Sequence, residues 1–136
     1  LEPISVTSRH ENERPELFFN GASEITYFNL QFPNGVKGDG MVTYAKSVNK
    51  LKVNCQNGFY KLEPFQSYTG VKGVTSGGKT LPPCECNQQA IQMDNDALAI
   101  IKDRKMKVPG EEGLKDIRIV EAILESAQKD SKRIIL

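Results

Sequence analysis

Two different periods run through the hydrophobic pattern of this chain. Up to about residue 81, apolar residues come at every second position, the spacing of a strand with one buried face. Residues 4–9 alternate Ile4 and Val6 with Ser5 and Thr7. Residues 10–21 are polar, include Pro15, and read as a connecting loop. Residues 23–32 carry the strongest alternation, with Phe28, Leu30 and Phe32 on one face and Ile25, Tyr27, Asn29 and Gln31 on a mixed face. Pro33-Asn34-Gly35 is a hairpin signal, and residues 36–44 return, with Gly38 and Gly40 marking a bulge or a close backbone approach. Residues 49–55 set Leu51, Val53 and Cys55 against Lys50, Lys52 and Asn54. Asn57-Gly58 turns the chain into residues 59–63, a weaker strand spans 68–74, and Ser76-Gly77-Gly78-Lys79 turns into a short strand at 79–81.

Pro82-Pro83 closes the strand half, and the period changes to three and four. A first helix is predicted over 88–104 with Asn87 as N-cap, and its apolar residues are Ala90, Ile91, Met93, Ala97, Leu98, Ile100 and Ile101. Pro109-Gly110 stops what precedes it, and a second helix is predicted over 111–130. There Leu114, Ile117, Val120, Ile123, Leu124 and Ala127 form one apolar stripe. Glu111, Glu112 and Asp116 sit at the positive end of its dipole, and Lys129, Lys132 and Arg133 gather at the negative end. Residues 134–136 read as a closing strand. Strands first and helices afterwards is an α+β arrangement, expected as an open, mostly antiparallel sheet of about six or seven strands with two helices on one face. The other face is then wet or covered by another chain.

Length and charge narrow the function classes. At 136 residues the chain is expected to be a single domain, 1–136, long enough for a core. Its 18 basic and 17 acidic residues nearly cancel, so nothing points to nucleic acid or an anionic membrane as partner, and no apolar run reaches a membrane span. Three cysteines do not make a disulfide framework. Cys84 and Cys86 are too few for a zinc site, and the lone His10 lies far from them in sequence, so no metal is expected. The chain opens Leu1-Glu2-Pro3 without a methionine or a signal peptide, which suits a processed or excised piece. The compartment, cytoplasmic or periplasmic, stays open.

Candidate chemistry is sparse. Glycines 70, 73, 77 and 78 lie in a hairpin region rather than between a strand and a helix, so they form no dinucleotide fingerprint. No nucleophile elbow occurs, and His10 beside Glu11 and Glu13 is a solvated loop residue rather than a base. Asp94 and Asp96 lie in the first turns of a helix, where negative charge is favoured anyway. Asn87-Gln88 is a helix cap first, with proximity to a cofactor as the sharper alternative. Lys46, Lys50, Lys52 and Lys61 are the solvated sides of strands. The chain therefore offers no catalytic, cofactor-binding or metal residues. Ile25, Tyr27, Tyr44, Tyr60 and Tyr68 are interface candidates, because amphipathic aromatics on an open sheet tolerate water until docking. Ordinary strand propensity accounts for tyrosines equally well.

Three segments carry a more specific resemblance. Pro109-Gly110-Glu111-Glu112-Gly113-Leu114-Lys115-Asp116 opens a helix that continues Ile119-Val120-Glu121-Ala122-Ile123-Leu124-Glu125-Ser126-Ala127. Upstream stand Asn87-Gln88-Gln89-Ala90-Ile91-Gln92-Met93-Asp94 and Leu30-Gln31-Phe32-Pro33-Asn34-Gly35-Val36. In order and spacing these resemble the C-terminal domain of the glucose–fructose oxidoreductase / inositol dehydrogenase (Gfo/Idh/MocA) family. The resemblance implies an NAD(P)-dependent oxidoreductase acting on sugars or polyols. Its N-terminal Rossmann domain would hold NAD or NADP, and its open sheet would wall the substrate pocket and pair with a second subunit. The family's Gly-rich turn, its Glu-Lys-Pro segment and the helix bearing its Asp and His or Tyr have no counterpart here, so no catalytic role transfers to any residue. Gln89 and Asn95 replace the family's aromatic and histidine at the first helix. The chain alone is expected to be inactive and to form a homo-oligomer through the open sheet face. A free-standing assembly module, or a small-ligand-binding domain using the sheet as a platform, is the alternative.

Overall fold

The strongest alternating segment lies inside a four-stranded antiparallel sheet of order β3-β2-β1-β8, in a computed structural model that describes residues 2–82 and 87–136. Here β1 is Ser5–Glu11, β2 Ile25–Gln31, β3 Lys37–Thr43 and β8 Ile134–Ile135. The expectations for Leu1, Cys84 and Cys86 lie outside the described residues. A second antiparallel sheet, β4-β5-β6-β7, is made of Leu51–Cys55, Gly58–Leu62, Gly73–Thr75 and Thr80–Leu81. The fold is thus α+β with open antiparallel sheets. Among the described residues the strands number eight, four to a sheet, where the sequence suggests one sheet of six or seven. The chain divides into two compact units, Leu1–Ser47 with Pro109–Leu136, and Val48–Val108.

In the first unit the turn signals act as their chemistry dictates. Pro33–Gly35 forms one tight 3-10 turn between β2 and β3, with Asn34 and Gly35 at φ 63° and 77°, the left-handed conformations that Asn and Gly accept. Gly40 marks a close approach rather than a bulge. The register from Ile25↔Thr43 to Gln31↔Lys37 is unbroken, and a Cβ at Gly40 would fall 2.0 Å from the Phe28 ring. Helix α2, Gly110–Gln128, packs on β1 and β8. The core is Val6, Ala122 and Ile123, with Phe28, Leu30, Ile119 and Ile134 against it. A polar lock joins strand to helix: the Ser8 N–H donates to Ser126 Oγ at 2.8 Å, the Ser8 hydroxyl donates to the Ile123 carbonyl, and Ser126 Oγ donates to the Lys132 carbonyl at 2.7 Å.

This packing corrects the expected stripe on α2. Only Ile123 of that stripe is buried, while Leu114, Ile117, Val120 and Leu124 are exposed, Ile117 at 57%. The helix turns its smaller residues, Ala122 and Ser126, to the strand, because a serine–serine contact lets the backbones come close. Its end is set by the left-handed conformations of Asp130 and Ser131, two residues short of the expected boundary.

In the second unit, a two-residue loop at Gln56 and Asn57 joins β4 to β5, which pair Cys55 with Gly58. The turn after β6 is closed by Gly78 N–H to the Thr75 carbonyl and Thr75 N–H to the Lys79 carbonyl, both 3.0 Å. The weak strand expected at 68–74 is reduced to Gly73–Thr75. Helix α1, Gln88–Ile101, starts at Asn87, whose side chain accepts the Ala90 N–H at 3.1 Å, so Asn87 is a helix cap. Asp94 and Asp96 lie beyond its first turn, which contains no acidic residue.

Candidate functional site

Alternation along the strands divides the first unit's sheet into two faces. Val6, Ser8, Phe28 and Leu30 point to α2, so the intervening residues form the opposite, open face. The ladder registers then place Ser5, Gln31 and Lys37 in one row across three strands, and Thr7, Asn29 and Asp39 in the next. An open depression is lined by these six residues together with Arg133.

Internal hydrogen bonds hold part of this surface in place. Arg133 Nε donates to Ser5 Oγ at 2.9 Å, and Asn29 Nδ2 donates to Asp39 Oδ1. Gln31 Nε2 is engaged by the Phe32 and Val36 carbonyls at 3.1 and 3.2 Å, which leaves its amide oxygen outward. Lys37, Asp39 and Arg133 enter no salt bridge among the described residues. Lys37, Asp39 and Arg133 are exposed on this face, as is Asn29, whereas Ser5 is buried and bonded to Arg133. Beyond them the Arg9 guanidinium, paired with Glu11 at 3.0 Å, lies 4.1 Å from the Tyr27 ring centroid.

At one end of the sheet the loop 12–23 is pinned by Glu24, whose side chain is fully enclosed. Glu24 Oε2 accepts the N–H groups of Glu13 and Arg14 at 2.7 and 2.9 Å, and Oε1 accepts Arg14 Nε at 2.6 Å. Burial by itself would raise the Glu24 pKa. The Arg14 N–H, the Arg14 guanidinium and the Glu13 N–H outweigh it and hold the carboxyl below its ordinary range. Asn12 completes the clasp by accepting the Glu24 N–H and donating to the Phe18 and Ala22 carbonyls.

The interface candidates meet different fates. Ile25 is 1% exposed and belongs to the interior, so it presents nothing to a partner. Tyr27 is half-buried under Arg9 on the open face. Tyr44, 75% exposed, lies 5.9 Å from Phe18 between ring centroids. Tyr60 and Tyr68 belong to the second unit and are exposed at 53% and 76%. The five are thus not one patch of the first unit. The polar residues Ser5, Thr7, Lys37, Asp39 and Arg133 went unmarked in the aromatic reading. Their signal was the mixed face of Asn29 and Gln31, continued across the hairpin by Lys37-Gly38-Asp39-Gly40.

Among the described residues no glycine-rich turn links a strand to a helix. Gly70, Gly73, Gly77 and Gly78 sit in and around the β6–β7 hairpin, away from any strand-to-helix turn. Among the described residues no group of three or more His, Cys, Asp or Glu is placed to hold a metal ion. Nor is any helix long and apolar enough to cross a membrane.

No family model matches the chain. Among solved structures, the chain is similar to an aldose–aldose oxidoreductase from Caulobacter crescentus, crystallised in complex with glycerol. The TM-score is 0.89 and the identity 28%, over 99% of this chain and 42% of that one. The chain therefore spans less than half the length of that enzyme.

Proposed function

We propose that this chain, similar over almost its whole length to part of an aldose–aldose oxidoreductase, is the C-terminal substrate-pocket and oligomerisation domain of an NAD(P)-dependent sugar or polyol oxidoreductase of the Gfo/Idh/MocA kind. The observation that carries this reading is the likeness to an aldose–aldose oxidoreductase along almost the whole chain. In this reading an N-terminal Rossmann domain binds NAD or NADP, and the hydride and acid–base chemistry belong to that domain and its junction. The chain by itself contributes a wall of the pocket and a surface for a second subunit.

The test is a comparison of two proteins. The 136-residue chain, mixed with NADH or NADPH and a panel of aldoses and polyols, is expected to give no turnover above the blank. The same chain fused behind a Rossmann domain of this family is expected to oxidise or reduce at least one of them. Turnover by the chain alone, or a fusion that binds nicotinamide yet ignores every sugar, refutes the proposal.

One observation favours a second reading. The depression on the open face is rich in hydrogen-bonding groups, which suits a free-standing small-ligand-binding domain. Saturable heat on titrating glucose or glycerol into the chain without nicotinamide supports that alternative, and a flat titration removes it.

A further inference from the structure

We propose that the tip of the loop 63–72, with the start of α1, is a subsite for one face of a neutral sugar ring, with Tyr68 as its stacking platform. The inference rests on the sugar-oxidoreductase reading above and names where this chain meets the sugar. Several bonds hold the loop still. Its base is closed by the Glu63 N–H, which donates to the Lys72 carbonyl at 2.9 Å. Asn49, just before β4, grips its middle. Asn49 Oδ1 accepts the N–H groups of Phe65 and Gln66 at 2.9 and 2.8 Å, and Asn49 Nδ2 donates to the Gln66 carbonyl at 2.6 Å. At the tip the Ser67 hydroxyl donates to the Thr69 carbonyl, and Gly70 turns the chain back in the left-handed region at φ 79°. One side-chain amide thus binds the loop backbone three times. A loop fixed before the ligand arrives spares binding the cost of ordering it.

What this clamp holds out to solvent is an aromatic ring, since Tyr68 is 76% exposed. Gln66, Ser67, Tyr68 and Gln88 line one open depression. The clamp engages only the backbone of Gln66, which leaves its side-chain amide to the depression, and Gln88 is the exposed first residue of α1. An amide donates and accepts at once, as a sugar hydroxyl does. The electron-rich face of a tyrosine suits the C–H groups on one side of a pyranose. Among the described residues no charged side chain lines this depression, whereas the one on the open face of the first sheet carries Lys37, Asp39 and Arg133. The matching ligand is therefore an uncharged ring, an aldose rather than a sugar phosphate or a sugar acid.

Chemical-shift mapping of the full isotope-labelled chain locates the sugar. One wall of a pocket binds weakly, with a Kd of about 10–100 mM, so nuclear magnetic resonance rather than heat is the readout. Glucose is expected to move the amide signals of Gln66, Ser67, Tyr68 and Gln88 along saturating curves. Tyr68→Ala is expected to weaken binding by about three- to tenfold, and Tyr68→Phe, which keeps the ring, to stay within about twofold of the wild type. A glucose phosphate is expected to bind no more tightly than glucose. Signals away from the loop check that both variants keep the fold. Shifts confined to the open face of the first sheet, or no shifts at all, overturn the subsite. So does a Tyr68→Ala chain that binds like the wild type, or a Tyr68→Phe chain that binds like Tyr68→Ala. A glucose phosphate that binds about tenfold tighter or more overturns the neutral-ring assignment. Each of these failures leaves the oxidoreductase reading to its own turnover test. A fusion that ignores every sugar while glucose still maps to Tyr68 removes that reading and keeps the subsite.

Discussion

Glu24 shows what one residue does for this fold. Its carboxylate organises the loop 12–23 by accepting two backbone N–H groups and the Arg14 guanidinium. These donors hold its folded pKa below the ordinary 4.5 despite burial. A lowered folded pKa means that the unfolded state takes up the proton first. The stability contributed is therefore fully present above about pH 4.5 and is lost as pH falls through the folded value. Thermal melts from pH 7 to pH 3 are expected to show this loss in the wild type. In Glu24→Gln the slope flattens, the melting temperature at pH 7 drops, and the loop becomes a protease site; an unchanged slope refutes the role. Ser126 matters for the opposite reason, since it carries no charge. β8 pairs only with Ser5 and Val6, and further along β1 the Ser8 N–H is taken by Ser126. Ser126→Ala leaves a buried donor unpaired and is expected to cost about 1–3 kcal/mol in urea denaturation. Neither role was visible beforehand. Glu24 and Ser126 are separated in sequence from what they bind, and a charge or a hydroxyl shows no period.

At the scale of elements, α2 separates what periodicity decides from what it leaves open. Three- and four-residue spacing marked the helix and its acidic start, because both are local. It did not choose between the helix's two apolar sides. Ile119, Ala122, Ile123 and Ser126 pack on β1 and β8, and Leu114, Ile117, Val120 and Leu124 do not. The choice depends on Ser8, far away in the chain, which admits a close approach only opposite Ser126. Truncation should reveal the difference. Ile123→Ala is expected to destabilise by about 2–4 kcal/mol, and Ile117→Ala by less than about 1 kcal/mol, measured by chemical denaturation. Equal costs would mean that α2 packs through its other side. The hairpin turns were legible for the complementary reason. Asn34-Gly35 and Gly78 need left-handed backbone, which their own chemistry permits at little cost.

For the molecule as a whole, exposed area is the informative quantity. The chain exposes 10469 Å², whereas even two separate globules sharing its mass would expose about 8,500 Å². On the proposed oligomer reading, the exposed aliphatics of α1 and of α2 are surface that a neighbouring chain covers. Covering stabilises by mass action. The melting temperature is accordingly expected to rise with protein concentration between about 1 and 100 μM, and a constant value would mean that the surface stays wet. The sequence alone determined the class of the fold, the turns, the helix starts and the likeness to part of a sugar oxidoreductase. Each of these is written in residues that are neighbours along the chain or in motifs that keep their spacing. The tertiary structure decided that the strands form two sheets, which side of α2 is buried, that Ile25 lies inside, and that Lys37, Asp39 and Arg133 gather on one face. Those outcomes depend on register between distant segments, and a one-residue shift in pairing would send every one of those side chains to the other face.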